Sequence, residues 1–176
     1  QKLAKAGEDY VAFVGSDFVK EGRICGEVCA KVMNGNAKII ELQGTTGSSP
    51  AIDRGKGFAE AIGSYSGMEI VASQSGDFAR DKGRQVFETL YQSHPEANLV
   101  YSHNDEMTMG AIAALEAAGK VPGKDVMLAT IDGTVDAAKA VMSGKAIVCV
   151  ECSPKFGPKA FELIKRLANG EKIPTN

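Results

Sequence analysis

The sequence predicts an α/β fold: a doubly wound, mostly parallel sheet with helices on both faces. Short apolar runs alternate with helix-like segments about every 30 residues, the pattern of consecutive βαβ units. Polar residues follow these apolar runs directly, as at Ser102-His103-Asn104, just before the next helix begins. Ligands of open α/β sheets bind beyond the carboxyl ends of the strands. This edge of the sheet is therefore the predicted functional site.

Six apolar runs are predicted to be strands. They lie at 10–14, 38–42, 68–73, 99–101, 126–131 and 146–150. The first run is almost wholly apolar, as expected of a strand that is buried on both faces. Helices are predicted after each run, and the clearest of them span about 17–33, 51–62, 111–118, 135–142 and 158–168, with a further helix marked by the apolar residues between 86 and 91.

The composition is that of an ordinary globular domain. The chain has 176 residues, 44% hydrophobic and 24% charged, with a net charge of −2. This charge argues against a nucleic-acid-binding surface, which needs clustered positive charge. No apolar run approaches the roughly 20 residues that a membrane-spanning helix needs. The first residues have no Met, apolar signal core or cleavage site, so we expect the sequence to begin inside a longer protein.

The four cysteines form two close pairs. Cys25 and Cys29 lie four apart on one face of a predicted helix, where their parallel side chains bridge poorly. Cys149 and Cys152 would point to opposite faces of a strand. Neither spacing matches a zinc site. We therefore predict thiols that pack as small hydrophobic groups, with a disulfide as the alternative, and no metal site.

The sequence offers no positive signal for catalysis. A nucleophilic triad needs a histidine beside a serine or cysteine; His94 precedes a proline in a predicted loop, and His103 could face either side of its strand. The loop at 44–50 lacks the Gly-Lys-Ser/Thr ending of a phosphate-binding loop, which favours ordinary turns. A two-carboxylate glycosidase site stays open, because four aspartates follow predicted strand ends without one pair standing out. They are Asp17, Asp77, Asp105 and Asp132.

The polar residues at the predicted edge suit a neutral, hydroxyl-rich ligand. Carboxylates accept hydrogen bonds from hydroxyls, asparagine both donates and accepts, and arginine supplies a rigid set of donors. Each residue also has an ordinary structural explanation. Asp17, Asp77 and Asp105 could cap helices, Arg54 could lie on a helix surface, and Phe78 could belong to the core. The prediction therefore rests on their shared edge.

Five motifs follow one another in a recognisable order. They are Glu-Leu-Gln-Gly-Thr-Thr-Gly at 41–47, Ala-Ile-Asp-Arg-Gly-Lys-Gly-Phe at 51–58, Gly-Asp-Phe at 76–78, His-Asn-Asp-Glu-Met at 103–107 and Ile-Asp-Gly at 131–133. With them the chain resembles, over about 9–170, the type I periplasmic sugar-binding proteins of ABC transporters. Within this ribose and galactose group, it is most similar to the galactofuranose-binding type. Such proteins have two Rossmann-like lobes that close on a sugar, without catalysis or a cofactor.

The resemblance implies a set of ligand-binding residues. Arg54 matches an arginine that hydrogen-bonds sugar hydroxyls, and Phe78 matches a position that stacks on the sugar ring. Asn104 and Asp132 match the ligand asparagine and aspartate of their motifs. Cys152 falls where ribose binders have a ligand glutamine, but a thiol is a weaker hydrogen-bonding group, and the neighbouring Glu151 could take its place.

The resemblance also implies an organisation. Residues 1–153 would form the carboxy-terminal sugar-binding lobe, and 154–176 a crossing helix that packs with an amino-terminal lobe outside this sequence. The expected partners are that lobe, a small-molecule sugar and the membrane permease of an importer, with no nucleic acid. The expected location is the periplasm, or the outer surface as a lipoprotein in a Gram-positive source.

Two other functions stay open. The lobe also resembles the effector domains of lactose-repressor-type regulators, so a ligand-sensing domain of a receptor or regulator is the alternative, although no DNA-binding headpiece is present. A small α/β enzyme that acts on sugars is the third possibility.

Overall fold

The computed structural model describes residues 4–5 and 7–175. These residues fall into two compact units. The larger unit spans 17–152 and contains the sheet and five helices. The smaller unit combines the segment up to residue 16 with the segment from 153 onwards, which contains the sixth helix.

The larger unit is built on a five-stranded sheet in which every pairing is parallel. Its strands are β1 (Asn36–Gln43), β2 (Gly67–Ser75), β3 (Leu99–Ser102), β4 (Met127–Asp132) and β5 (Val148–Glu151). Their order in the sheet is β2-β1-β3-β4-β5. The chain thus winds outward from β1 in one direction and from β3 in the other. This confirms the predicted doubly wound α/β fold and puts the switch point, where such sheets bind ligands, between β1 and β3.

The helices follow the strands in strict alternation. They are α1 (Phe18–Val32), α2 (Ser49–Ile62), α3 (Arg80–Ser93), α4 (Asp105–Ala117), α5 (Val135–Met142) and α6 (Gly157–Ala168). The aspartate predicted to cap α1 does so, because the Asp17 side chain accepts a hydrogen bond from the backbone N–H of Lys20. Of the helices described, none has the length and apolar character to cross a bilayer.

The two faces of the sheet carry separate apolar clusters. Side chains alternate along a strand, so Val100 packs among residues of α3 and α4. Its neighbours Leu99 and Tyr101 point the other way, towards α1 and α2. On that side, the ring of Phe58 stacks on Tyr101 with 3.8 Å between centroids. These contacts fix α2 on the sheet, and α2 carries the first predicted ligand residue.

Helices α1 and α2 approach each other so closely that glycine is required at the contact. A methyl group added to Gly22 would lie 2.1 Å from the carbonyl oxygen of Arg54, and one added to Gly57 would lie 1.9 Å from that of Val19. The two backbones therefore touch at both places. As a result, the residues next to Gly22 lie level with Arg54.

None of the four cysteines, all of which the structure describes, forms a disulfide. Cys25 and Cys29 are fully buried in the apolar cluster beneath α1 and α2. Cys149 and Cys152 are only half-buried. The Sγ of Cys149 lies 3.3 Å from a carboxylate oxygen of Asp105, so at this position the thiol is a polar neighbour as well as a packing group.

The predicted first strand is wrong. Residues 11–16 form no strand, and Val11 and Phe13 are 55% and 58% exposed. Within the smaller unit, the backbone N–H of Phe13 donates to the carbonyl oxygen of Thr175. An apolar run indicates that a segment needs to be covered, but a strand also needs a neighbouring strand to pair with.

Candidate functional site

Arg54 is the centre of the polar groups at the carboxyl edge of the sheet. It lies in the second turn of α2, and only 4% of its surface is exposed. Its Nε donates to Glu21 at 2.9 Å and its Nη2 to Asp132 at 3.2 Å. Its Nη1 donates to the backbone oxygen of His103 at 2.5 Å. One guanidinium therefore joins α1, α2 and the ends of β3 and β4.

Two aromatic residues help to hold Arg54 in this place. The hydroxyl of Tyr101 donates to the backbone oxygen of Arg54 at 3.1 Å, which ties this turn of α2 to β3. The ring of Phe18, at the start of α1, has its centroid 5.4 Å from the guanidinium carbon, within the range of a cation–π contact. The arginine is thus fixed at both its backbone and its charged end.

Burial and charge pairing have opposite effects on the pKa values of Arg54 and Asp132. Burial disfavours the charged guanidinium, but the carboxylates of Glu21 and Asp132 outweigh it and raise the pKa of Arg54. Burial also raises the pKa of Asp132 from 3.8 to about 6, against the attraction of Arg54. The nearby carboxylate of Asp105 acts in the same direction as burial. Arg54, already paired with Glu21, therefore only partly compensates Asp132.

The backbone around Asp132 is held by a second buried carboxylate. Asp105 is fully buried, and its Oδ2 accepts from the backbone N–H groups of Gly133 at 2.9 Å and Thr134 at 2.7 Å. Its Oδ1 accepts from the hydroxyl of Thr130 at 2.8 Å. Asp132 itself has φ 139°, a strained value for a residue other than glycine. Asp105 therefore fixes the turn that presents Asp132.

Asn104 caps α4 and also contacts the segment before α3. Its Oδ1 accepts from the backbone N–H of Met107 at 3.1 Å, and its Nδ2 donates to the backbone oxygen of Phe78 at 3.0 Å. The prediction that Asp105 caps this helix is therefore wrong. Asn104 takes the cap position, which leaves the next residue, Asp105, to turn inward.

Phe78 is half-buried and lies over Gly44, where any side chain would meet its ring: a methyl group on Gly44 would lie 1.9 Å from it. Asp77 and Phe78 have φ 54° and 60°, a left-handed turn that lifts both residues out of the line of β2. The prediction that Asp77 caps the following helix is wrong, because Ala79 is the cap residue and Asp77 pairs with Lys82 instead.

The last two predicted residues lie beside Asp132. Glu151, the final residue of β5, is the register partner of Asp132 and is exposed. The backbone N–H of Cys152 donates to the backbone oxygen of Asp132 at 2.9 Å. Hydrogen bonds and strand pairing thus connect Asp132 to Arg54, Glu151 and Cys152. Asn104, which donates to Phe78, is the residue after His103. Arg54 donates to the backbone oxygen of His103.

The structure adds a buried acid–histidine pair that the sequence had left undecided. His103 is fully buried, and its Nε2 lies 3.0 Å from Glu41. Its Nδ1 accepts from the backbone N–H of Gly44 at 3.3 Å, so the proton is on Nε2 and is donated to Glu41. Burial acts to raise the pKa of Glu41, but hydrogen bonds from His103 and Ser73 outweigh it and lower that pKa. The pair joins β1 to the end of β3.

A cleft of about 440 Å³ opens beside this pair, between α2 and strands β1 and β2. Its lining includes Glu41, Gln43 and Lys56, but none of the six predicted ligand residues. Among the residues that the structure describes, no group of three His, Cys, Asp or Glu side chains could hold a metal ion.

Sequence reasoning missed Glu21 and Glu41, although both leave a signal. Glu41 interrupts an otherwise apolar strand, and a charge in a buried strand needs a partner. Glu21 precedes Gly22 and Gly26, a four-residue spacing of glycines that marks a close helix contact. A carboxylate beside such a contact is removed from water and must be paired.

The elevated pKa of Asp132 leads to a prediction about pH. Because its folded-state pKa of about 6 lies above 3.8, its contribution to stability is complete below about pH 3.8 and is lost as the pH rises through about 6. We expect wild type to lose stability relative to Asp132→Asn between these values. Urea unfolding of both proteins across this range will measure the difference.

A direct measurement is the carboxyl ¹³C titration of Asp132, which we expect to have its midpoint near 6. For the urea comparison with Asp132→Asn, the variant Asp136→Asn, on the exposed side of α5, controls for the loss of one negative charge. A midpoint near 4 for Asp132 would contradict the proposed effect of burial.

Comparison with known proteins gives a consistent assignment. The chain is 41% identical over 169 residues to "Galactofuranose-binding protein YtfQ" of Escherichia coli, covering 94% of this chain and 53% of that protein. It is 41% identical over 166 residues to "Ribose import binding protein RbsB" of Salmonella typhimurium, covering 94% and 55%. The chain thus spans about half the length of these relatives.

A solved structure from Mycobacterium smegmatis in complex with β-D-fucofuranose superposes with a TM-score of 0.90 at 43% identity, covering 97% of this chain and 57% of that one. The family described as "Periplasmic binding protein domain" matches residues 3–172. This match covers nearly the whole chain, and the doubly wound parallel sheet agrees with it. The chain therefore belongs to the periplasmic binding protein family.

Proposed function

We propose that this chain is the sugar-binding lobe of a solute-binding protein that delivers a neutral monosaccharide to an ABC-type importer. The observation that carries the proposal is the convergence of Arg54, Asn104 and Asp132 at the carboxyl edge of one parallel sheet. Two relatives are named for galactofuranose and ribose, and a solved neighbour holds a furanose. We therefore propose a furanose such as galactofuranose as the ligand.

The site would bind its ligand without chemical change. Arg54 uses three of the five N–H donors of a guanidinium, which leaves two for sugar hydroxyls. Asp132 can accept from another hydroxyl, and the ring of Phe78 can cover an apolar face of the sugar. Hydrogen bonds to charged groups contribute about 1.5–3 kcal/mol each when they are buried. The proposed role is therefore binding, as in the relatives, and not catalysis.

The smaller unit fits a role in joining this lobe to another. Helix α6 carries Phe161, Ile164 and Leu167 at three-residue spacing, and all three are exposed, at 68%, 57% and 39%. An apolar stripe of this kind on a helix is normally covered. We propose that residues 154–176 pack with the amino-terminal lobe of the full protein, which would lie outside the cytoplasm and pass its sugar to a membrane permease.

An amide NMR titration of this chain tests the proposal. Galactofuranose, arabinose, ribose and galactose would be added separately to high millimolar concentration. We expect one of them to shift the resonances of Arg54, Phe78, Asn104 and Asp132 together. Arg54→Lys keeps the charge but loses the planar set of donors, so we expect it to abolish the shifts.

Lys56→Ala is the matched control, since Lys56 lies two residues further along α2 and is exposed. It should leave the titration unchanged. Shifts confined to another surface, shifts that survive in Arg54→Lys, or no shift with any of the four sugars in a folded sample would contradict the proposed site.

A further inference from the structure

We propose that Glu21 is a positioning and specificity-determining residue of this site. By engaging Arg54 it would present the remaining donors to neutral hydroxyls and exclude ligands that carry a carboxylate or a phosphate. The ligand class rests on the proposed function above, whereas the positioning of Arg54 does not.

The geometry assigns Glu21 this position. It lies in the first turn of α1 and is only 6% exposed. Its Oε2 accepts from the Nε of Arg54 at 2.9 Å. The adjacent Gly22 touches the backbone of Arg54 across the helix contact, so the backbones that carry the two side chains are held close together. Glu21 thus holds the guanidinium from the side opposite β3.

The bonds that Arg54 already makes explain why an acidic ligand is disfavoured. Arginine often binds a carboxylate or phosphate with two parallel N–H donors, and Nε with Nη2 forms one of the edges that can do so. In this site Nε donates to Glu21 and Nη2 donates to Asp132. The protein's own carboxylates therefore already occupy this edge, and an acidic ligand could approach only the remaining N–H groups of Nη1 and Nη2.

The charges point the same way. Near neutral pH, one guanidinium faces the carboxylates of Glu21 and Asp132, and the exposed Glu151 adjoins Asp132 in the sheet. The sum of these four charges is −2. A neutral sugar carries no charge into this field, whereas a sugar acid or a sugar phosphate would be repelled. Of the three carboxylates in this set, Glu21 is the buried one.

The first test needs no ligand. The Nε–H resonance of Arg54 reports directly on its bond to Glu21. We expect it to be sharp and protected from solvent exchange in wild type. It should persist in Glu21→Gln, whose side-chain oxygen can still accept, and broaden or disappear in Glu21→Ala. Glu27→Ala, an exposed position on the same helix, is the matched control and should match wild type.

The second test uses inorganic phosphate as the anionic probe near neutral pH, with potassium chloride at matched ionic strength as the control. Glu21→Gln removes one negative charge within ~4 Å of the guanidinium. We expect this variant to bind phosphate at least about tenfold more tightly than wild type, as measured from the resonances of Arg54. A merely structural role for Glu21 would not change anion affinity in this way.

An Arg54 Nε–H resonance in Glu21→Ala identical to wild type would overturn the positioning role. Equal phosphate affinity in wild type and Glu21→Gln would overturn the specificity role. Neither result depends on sugar binding, so a failure of the sugar titration would count against the proposed function alone.

Discussion

Replacing Arg54 with alanine should lower the free energy of unfolding by about 3–5 kcal/mol, the range for removing one partner of a buried ion pair. The substitution leaves the buried carboxylate of Glu21 without a counter-charge. It also removes the donor to the backbone oxygen of His103 and the partial compensation of Asp132. Urea unfolding near neutral pH, followed by circular dichroism, measures the loss.

Two comparisons separate this effect from ordinary loss of a charge. Arg84→Ala removes an exposed pair with Glu88 on α3 and should cost no more than about 0.5 kcal/mol. The double variant Glu21→Leu/Arg54→Met replaces the buried pair with apolar groups and should recover much of the stability. A loss below about 1 kcal/mol in Arg54→Ala would show that water reaches Glu21 and that the pair is not buried.

Asp105→Ala should be of similar severity, at about 3–5 kcal/mol. A buried donor that loses its acceptor costs about 1–3 kcal/mol, and this substitution leaves one buried hydroxyl and two part-buried backbone N–H groups without theirs. These belong to Gly133, Thr134 and Thr130. We also expect the amides of Gly133 and Thr134 to exchange faster with solvent, because the turn that carries Asp132 loses its anchor.

Glu106→Ala is the matched control for Asp105. Glu106 is the next residue of α4, but its carboxylate pairs with Arg80 at the surface, so its removal should cost less than about 1 kcal/mol. If the exchange of Gly133 and Thr134 is the same in Asp105→Ala as in wild type, the carboxylate does not hold the turn.

Much of the fold follows from local sequence patterns. The helix predicted over 135–142 has the bounds Val135–Met142 in the structure, and five of the six predicted strands are present within a few residues. These elements have a complete local signal: an apolar run of the right length and a clear stop. The run at 10–14 has the same signal but no strand beside it, which local sequence does not reveal.

The candidate site, like the fold, could be predicted from the sequence only in part. Its six predicted residues share one edge, because the carboxyl ends of parallel strands must lie together once the sheet is known. The buried partners could not be found so directly. Glu21 and Arg54 lie 33 residues apart, and their pairing depends on which two helices touch and at what distance. The predicted cap at Asp105 failed for a related reason: Asn104 competes with Asp105 for one cap position, and the interior offers Asp105 more donors.

The bonds of Arg54 also have a consequence for folding. Its partners lie 33, 49 and 78 residues away along the chain, so the arrangement requires α1, α2, β3 and β4 to have assembled together. Contacts of such long range form late, since their loop-closure entropy must be overcome first. A nascent chain that ends before Asp132 cannot have a complete site. The full set of bonds to Arg54 would therefore be acquired only once β4, the last of these elements along the chain, has docked.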